Sequence, residues 1–250
     1  MLVNRMIMIR IAKYLGIAWL IVVSALSAMA SSPVIPQAPD YKHIEREVNS
    51  EHSRYYYPML VQKYNSQDTT MTAEEFHYYY YGYTFQEDYN PYRKSEFAHQ
   101  IDHLYKQGRK LSVAEYENLE RFARQTLNDN PFDLRQINIM IYALKGLNRY
   151  REAEVWQYRL DGLTSVILAS GNGMSPETAW HVIHPSHEYI ILNCKGMKGV
   201  DFVFVEPHYD YIEIERNTLK IEGCYFNVER ITDVYNMKYC YMEEIFEDEE

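Results

Sequence analysis

Between residues 97 and 229, the apolar residues follow two different spacings, one in the earlier part of this segment and one in the later part. In the earlier part, apolar residues recur every three or four positions, which is the period of an α-helix with one buried face. The sequence therefore predicts a series of amphipathic helices. The apolar positions with this period are Phe97, Ile101, Leu104 and Tyr105, then Tyr116, Leu119, Phe122, Ala123 and Leu127, and then Leu134, Ile137, Met140, Ile141 and Leu144.

Helix-starting signals precede several of these patterns. A Ser or Thr followed three residues later by Glu forms a capping box, in which each side chain bonds the backbone N–H of the other residue. Thr72 with Glu75 and Ser112 with Glu115 have this spacing, and Asp40 stands where an N-cap is expected. The sequence therefore predicts helices that begin near these three capping residues.

A helical hairpin is predicted around the segment Leu147 to Ala153. Pro131 ends one helix earlier, and the segment then turns the chain into the next helix. This order resembles one unit of the tetratricopeptide family, in which Gly usually occupies the position of Asn148. Asn tolerates the left-handed backbone needed there. About three such units are needed for a stable array, so we expect helical hairpins packed as a layer without a solenoid groove.

The pattern changes after Gly171-Asn172-Gly173, where β-branched and aromatic runs replace the helical stripes. Ile212 and Ile214 alternate with polar residues, and so do Leu219 and Ile221, which is typical of strands with one buried face. The sequence therefore predicts a hairpin, with Lys220 facing a glutamate across the pair. The predicted strands cover residues 178–183, 188–192, 200–206, 209–215 and 219–229.

The order of helices and then strands indicates the α+β class. We expect an N-terminal helical-hairpin layer, tetratricopeptide-like, over residues 40–170, and a mostly antiparallel C-terminal β-sheet packed on it over residues 171–240. An acidic tail follows over residues 241–250, and residues 31–39, with three prolines, form an extended lead-in. The run at Glu188 is also compatible with a short helix.

The first thirty residues have the composition of an export signal. Arg5, Arg10 and Lys13 precede an uncharged apolar stretch that ends in Ala28-Met29-Ala30, the small-x-small pattern of a signal-peptidase site. We expect cleavage after Ala30 and a periplasmic or secreted product without a membrane span. The alternative is an uncleaved anchor, because the stretch lies at the short edge of what a spanning helix needs.

The negative charge of the chain argues against nucleic acid as a partner. The formal net charge is −10, and residues 1–30 hold three basic and no acidic residues, so the expected mature chain is more acidic still. Such a chain repels nucleic-acid phosphates, which bind through Lys and Arg.

Cys194, Cys224 and Cys240 are an odd number for an exported chain. One disulfide with one free thiol and three free thiols are both compatible with this number.

Tyrosine is conspicuous, with 25 residues, many of them in clusters. The capping box at Thr72 opens a helix in which Tyr78 to Tyr81 occupy most of the circumference, and a helix with a single buried face does not bury all of them. We therefore expect an exposed aromatic surface that binds a partner or ligand; the alternative is a tyrosine-rich core. The residues assigned to this surface are Tyr55, Tyr56, Tyr57, Tyr79, Tyr80 and Tyr83.

His181, His184 and His187 are the candidate metal ligands, because they recur every third residue before Glu188 and imidazoles with a carboxylate can bind zinc. Pro185 lies inside the set, and zinc-binding helices place their His residues four positions apart. No metal or other cofactor is therefore predicted. The sequence contains no nucleophile elbow and no phosphate-binding loop, so no catalytic residue is assigned.

Several short motifs are distributed over most of the chain after the predicted export signal. Together they resemble an exported bacterial family known as domain of unknown function 4919. The resemblance implies no activity and no site residues, but it supports treating helices and strands as one unit. The motifs include Tyr55-Tyr56-Tyr57-Pro58, Tyr80-Tyr81-Gly82-Tyr83, Tyr89-Asn90-Pro91-Tyr92, Ser170-Gly171-Asn172-Gly173, Trp180-His181-Val182-Ile183 and Tyr225-Phe226-Asn227-Val228.

These features favour an exported, non-catalytic binding or scaffolding module with a protein or glycan partner in the cell envelope. The helical-hairpin layer and the aromatic clusters motivate this hypothesis. The alternative is a cell-envelope hydrolase that acts on glycan or peptide through carboxylates or through the three histidines.

Overall fold

Helices make up the earlier part of the described chain, and the later part contains a small sheet together with further helical residues. The computed structural model describes residues 37–66, 69–105 and 109–237. The predicted export signal, residues 31–36 of the lead-in, the acidic tail and Cys240 lie outside these residues. The helices of the earlier part are α1 (Tyr41–Asn49), α2 (Tyr57–Asn65), α3 (Ala73–Gly82), α4 (Ala98–Tyr105), α5 (Val113–Asp129), α6 (Leu134–Gly146) and α7 (Tyr150–Ser170).

Three of the helices begin where the capping signals predict. The Thr72 hydroxyl accepts a hydrogen bond of 3.1 Å from the Glu75 N–H, and the Glu75 carboxylate accepts one of 2.7 Å from the Thr72 N–H. Ser112 and Glu115 form the same reciprocal pair before α5, and Asp40 caps α1. These caps stabilise the helix starts because they satisfy N–H groups that the first turn leaves without intrahelical partners.

The helices α5, α6 and α7 pack one after another into a layer, and α7 also packs on α3. In the turn between α6 and α7, Asn148 has a φ of 59°, the left-handed conformation that Asn adopts more readily than most residues. Gly162 of α7 allows the close approach to α3, because a Cβ there would lie 2.4 Å from the Phe76 ring. The predicted helical hairpin is therefore present in the layer.

The sheet has four strands in the order β1-β4-β3-β2. β2 pairs with β3 and β3 with β4 in antiparallel fashion, whereas β1 runs parallel to β4, so the sheet is mixed rather than purely antiparallel. A helix, α8, lies between β1 and β2 in the sequence. The bounds are β1 (Trp180–His181), α8 (Ser186–Cys194), β2 (Gly199–Val205), β3 (Tyr209–Ile214) and β4 (Gly223–Asn227).

Three predicted strands differ in the structure. Residues 188–192 belong to α8, and the run 178–183 shortens to the two residues of β1; short apolar runs do not distinguish a helix from a strand by their period alone. In the hairpin, Ile212 pairs with Cys224. The residues from Leu219 to Ile221, which were predicted to be in the strand, therefore lie in the connection before β4. Lys220 has a φ of 55° there, which a strand does not accommodate, so it does not face a glutamate across the pair.

The core is continuous from the helices to the sheet. α3 lies at its centre in contact with α1, α2 and α7, and Tyr79, Tyr80 and Tyr81 are at most 2 % exposed. Ile212 and Phe226 bring the sheet into the same cluster. Over the residues that the structure describes, we find no helix of sufficient length and apolar character to cross a membrane.

Candidate ligand-binding site

A cavity of about 350 Å³ lies between the helices α2, α5 and α7. Small-molecule sites in proteins have volumes of about 300–1,000 Å³, so the cavity has the size of a ligand pocket. Its wall combines charged side chains with aromatic rings. The polar and aromatic wall residues include Tyr64 and Asn65 of α2, Arg124 and Asn128 of α5, and Arg151, Glu152, Trp156 and Arg159 of α7.

The helix α7 supplies one side of this wall. Arg151, Val155 and Arg159 stand four residues apart, and side chains at this spacing project from the same face of a helix. Trp156 lies beside them in the wall. Arg151 is exposed and Arg159 is buried, so this face runs from the protein surface into the cavity.

Arg159 is a buried cation without a carboxylate partner in the described residues. Its side chain is 8 % exposed, and its guanidinium carbon lies 4.4 Å from the Trp156 ring centre and 4.8 Å from that of Tyr64. One N–H donates a hydrogen bond of 3.1 Å to the Ser66 carbonyl. Burial lowers the pKa of Arg159, and the neighbouring charge of Arg124 lowers that pKa further.

The remaining charges leave the pocket wall with a positive surplus. Arg124 pairs with Glu120 at 2.6 Å, and Arg149, outside the wall, pairs with Glu120 at 2.8 Å and with Glu152 at 2.6 Å. The hydrogen bonds from Arg149 lower the pKa of Glu152, so this wall carboxylate is ionised and already engaged. Arg151 has no ion pair within the described ranges. Arginine charge in the wall therefore exceeds carboxylate charge.

The hydroxyl of Tyr64 is an unused donor at the same pocket. The ring is buried and stacks on Tyr79 with 4.5 Å between ring centres, while its hydroxyl finds no hydrogen-bond partner among residues 37–66, 69–105 and 109–237. Burial raises the pKa of Tyr64, so the hydroxyl keeps its proton. A buried polar atom without a partner calls for an explanation, such as strain, a functional role or a bound water or ion. Tyr64 is a wall residue of the pocket, so this buried donor lies close to the wall arginines.

The tyrosines that the sequence assigned to an exposed surface lie mostly in the core. The buried members are Tyr55, Tyr57, Tyr79, Tyr80 and Tyr83, and the half-buried member is Tyr56. The expected exposure is therefore wrong for all but the last. The physical reason is that neighbours on several sides cover α3, so rings around its whole circumference find partners. For example, Tyr78 stacks on Tyr55 with 3.8 Å between ring centres.

His187, one of the candidate metal ligands, belongs to a buried hydrogen-bond chain. The Tyr80 hydroxyl donates to its Nδ1 at 2.7 Å, and its Nε2–H donates to the Phe132 carbonyl at 2.7 Å. The Ile183 N–H in turn donates to the Tyr80 hydroxyl at 3.3 Å. Burial lowers the pKa of His187 to about 3, so the ring is neutral and both of its nitrogens are occupied.

The three candidate histidines do not converge on a common point. The His184 Nδ1 accepts a hydrogen bond of 2.8 Å from the Ser186 hydroxyl, and the His181 ring packs near Tyr41. Burial lowers the pKa of both rings to about 4. Within the described part of the chain, no group of three or more His, Cys, Asp or Glu residues is arranged to hold a metal ion.

The cysteines that the structure describes are not bonded to each other. Cys194 is exposed, Cys224 is buried, and both are free thiols. Burial raises the pKa of Cys224 to about 11, so that thiol stays protonated and is a poor nucleophile.

We compared the sequence with the profiles of known protein families. The sequence profile described as Domain of unknown function (DUF4919) matches residues 42–237. The chain belongs to this family. The DUF4919 match spans the helical layer and the sheet, and it includes the whole pocket. No curated protein and no solved structure gave a significant match to the chain.

Sequence reasoning missed the pocket of this DUF4919 chain. The spacing of Arg151, Val155 and Arg159 was the available signal, because it places two arginines on one helix face. Arg124 and Tyr64 come from two other helices, however, and local patterns do not show how α2, α5 and α7 meet. The sequence instead predicted a binding surface at the tyrosine clusters, and most of those residues lie in the core.

Proposed function

We propose that this chain is an exported, non-catalytic binding module whose ligand occupies the pocket between α2, α5 and α7. The observation that carries the proposal is Arg159, a buried guanidinium without a carboxylate partner in the described residues. A buried charge without a partner costs several kcal/mol. A ligand that brings a negative charge to Arg159 recovers part of this cost, so the pocket favours anions.

The anionic group of the ligand is a carboxylate or a phosphate. A guanidinium presents its donors as a planar fork that matches either group, and the unpartnered Tyr64 hydroxyl supplies a further donor. The chain has a net charge of −10, which repels anions at a distance. Arg151 at the exposed end of the wall offsets this repulsion locally.

The rest of the ligand offers a flat or apolar face. Trp156 lines the cavity beside Arg159, and an aromatic wall of this kind packs against rings and sugar faces. Acidic sugars and peptides that end in a carboxylate both combine such a body with an anionic group. Both agree with a partner in the cell envelope.

The test of this proposal is titration calorimetry with three small probes. Benzoate and phenyl phosphate carry an anionic group on a flat ring, and benzamide is the neutral counterpart of benzoate. We expect benzoate to bind at least about tenfold more tightly than benzamide, a difference of about 1.4 kcal/mol. Equal affinities for the two would contradict an anion site.

Two substitutions localise the binding. Arg159→Gln removes the buried charge and is expected to abolish the preference for benzoate. Arg216→Gln is the matched control, because Arg216 is exposed in the turn between β3 and β4, outside the pocket, and it should bind as the wild type does. Release of phenol from phenyl phosphate would contradict the non-catalytic part of the proposal and favour a hydrolase.

Export is tested independently of the ligand. The protein is expressed in a bacterial host with its own N-terminal segment, and the soluble envelope fraction is sequenced from the N-terminus. Ser31 is the expected first residue. Protein that retains Met1 and sediments with membranes would show that the segment is an anchor.

A further inference from the structure

The strand β2 exposes apolar side chains at the edge of the sheet. Val200, Phe202, Val203 and Phe204 are each at least 43 % exposed, and contiguous apolar surface marks an interaction site more often than scattered residues do. β2 is the last strand in the order β1-β4-β3-β2, so one side of its backbone has no neighbouring strand in the described ranges. Such an edge is a template for another strand.

Phe202 and Phe204 lie on the face of the sheet that packs against the helices. Residues directly opposite in an antiparallel pair share a face; Phe202 is opposite Ile212 and Phe204 is opposite Asp210. Ile212 is fully buried, whereas the two phenyl rings are exposed. The helices therefore cover this face at β3 and leave it open at β2.

We infer that β2 pairs with β2 of a second copy of this chain, antiparallel, about a two-fold axis at Phe202. The two four-stranded sheets then join into one continuous sheet. A two-fold axis perpendicular to the sheet keeps each face on its own side. Phe202 therefore packs side by side with the same residue of the second copy, and Phe204 lies next to this pair on the same face of the joined sheet.

The charges that flank the strand select this register. With the axis at Phe202, the end of β2 that carries Lys198 runs beside the end of the second copy that carries Glu206, whereas an axis one residue earlier places Asp201 against itself. Opposite charges across a strand pair contribute about 0.2–1 kcal/mol and like charges destabilise. Glu206 is exposed without an ion pair in the described chain, and the contact of Lys198 with Glu215 at 3.3 Å is exposed and weak.

A second copy suits β2 better than an unrelated peptide because the strand is complementary to itself. Its two ends carry opposite charges, so an antiparallel second copy brings each charged end beside an end of the opposite charge. A bulge between Gly199 and Asp201 interrupts the regular strand. Ladder hydrogen bonds are therefore confined to the part after the bulge, and Lys198 contributes through its side chain.

The test is the oligomeric state of the purified full chain, measured by sedimentation over a range of concentrations. The wild type is expected to be in a monomer–dimer equilibrium. Phe202→Lys is expected to raise the dimer dissociation constant at least about tenfold. Val113→Lys is the matched control, since Val113 is 65 % exposed on α5, away from the sheet, and it should leave the equilibrium unchanged.

A charge exchange tests the register without disturbing the apolar face. Lys198→Glu and Glu206→Lys should each weaken the dimer, and the double variant should restore it. A wild type that is monomeric at all concentrations overturns the inference; this is the result expected if another partner, or residues 238–250 of the same chain, cover the strand. A dimer that Phe202→Lys leaves unchanged, or a double variant that stays weakened, also overturns it.

Discussion

The tyrosine core around α3 and the arginine pocket beside α7 contain similar side chains. They differ in the hydrogen bonding of one buried tyrosine hydroxyl in each region. In the core, the Tyr80 hydroxyl bonds both His187 and the Ile183 N–H. In the pocket wall, neither the Tyr64 hydroxyl nor the Arg159 guanidinium has, among the described residues, the partner that would satisfy it: the hydroxyl has no hydrogen bond and the guanidinium has no carboxylate. The two regions are adjacent, because Tyr64 stacks on the core residue Tyr79.

For these two tyrosines, the difference separates a hydroxyl that serves folding from one that we propose serves binding. A satisfied buried group specifies one arrangement of its neighbours, and its loss leaves an orphaned partner. A buried group without a partner costs stability in the free protein, and functional sites are where proteins retain such costs. The same substitution should therefore have opposite effects in the two regions.

The largest expected effect comes from Tyr80→Ala in the core. Removal of a fully buried ring costs about 3–5 kcal/mol in the free energy of unfolding. Urea unfolding measures this cost, and Tyr56→Ala serves as control because Tyr56 is half-buried; we expect it to lose less than about 2 kcal/mol. If Tyr80→Ala is as mild as the control, the α3 rings are not a core.

Acid pH probes the same core through His187. Burial lowers its pKa to about 3, whereas an unfolded His has a pKa of about 6.5. Because the folded pKa is the lower one, the stabilisation is complete above about pH 6.5 and is lost as the pH falls towards the folded pKa, by up to about 1.4 kcal/mol per unit.

Urea unfolding at two pH values measures this loss. Between about pH 7 and pH 5, the wild type should lose about 2 kcal/mol more than His187→Gln. Glu188, whose pKa burial and Asp210 raise, acts in the opposite direction, but it is common to both proteins. Parallel pH profiles for the two would mean that His187 is solvated or already charged in the folded state.

Local signals in the sequence predicted where helices begin, and the structure confirms those starts. A capping box such as Thr72 with Glu75 acts within four residues, so no distant contact is needed to read it. The α+β order and the family followed from longer patterns of the same kind. The helix at residues 186–194 was only an alternative, because its short apolar run carries no decisive period.

Burial and the pocket did not follow from the sequence because both depend on contacts between distant segments. Tyr80 is buried by packing that includes His187, more than one hundred residues later. The pocket needs α2, α5 and α7 to meet, and only the two arginines on α7 share a local pattern. A run of tyrosines therefore shows that aromatic rings are present, but the sequence does not show which distant residues cover those rings.

Tyr80→Phe should have the next smaller effect. The ring and its packing remain, but the His187 Nδ1 and the Ile183 N–H lose their partner. Such orphaned buried groups cost about 1–3 kcal/mol, and we expect a value near the lower end because the cavity left is small. Urea unfolding at neutral pH measures the change. A neutral result would mean that this hydrogen-bond chain is not formed.

Tyr64→Phe makes the same chemical change beside the pocket and should have the smallest effect on stability, with the opposite sign. The ring keeps its stacking on Tyr79 and its contact with Arg159, and the hydroxyl that is removed has no partner in the described residues. Because an unsatisfied buried group is lost, we expect the free energy of unfolding to stay constant or to rise by up to about 1 kcal/mol. Phenyl phosphate should nevertheless bind at least about fivefold more weakly, since a donor to its anionic group is gone, a difference of about 1 kcal/mol. Urea unfolding and calorimetry on the same preparation give both values. If Tyr64→Phe destabilises the protein as much as Tyr80→Phe does, the Tyr64 hydroxyl is satisfied in the free protein and the contrast between core and pocket fails.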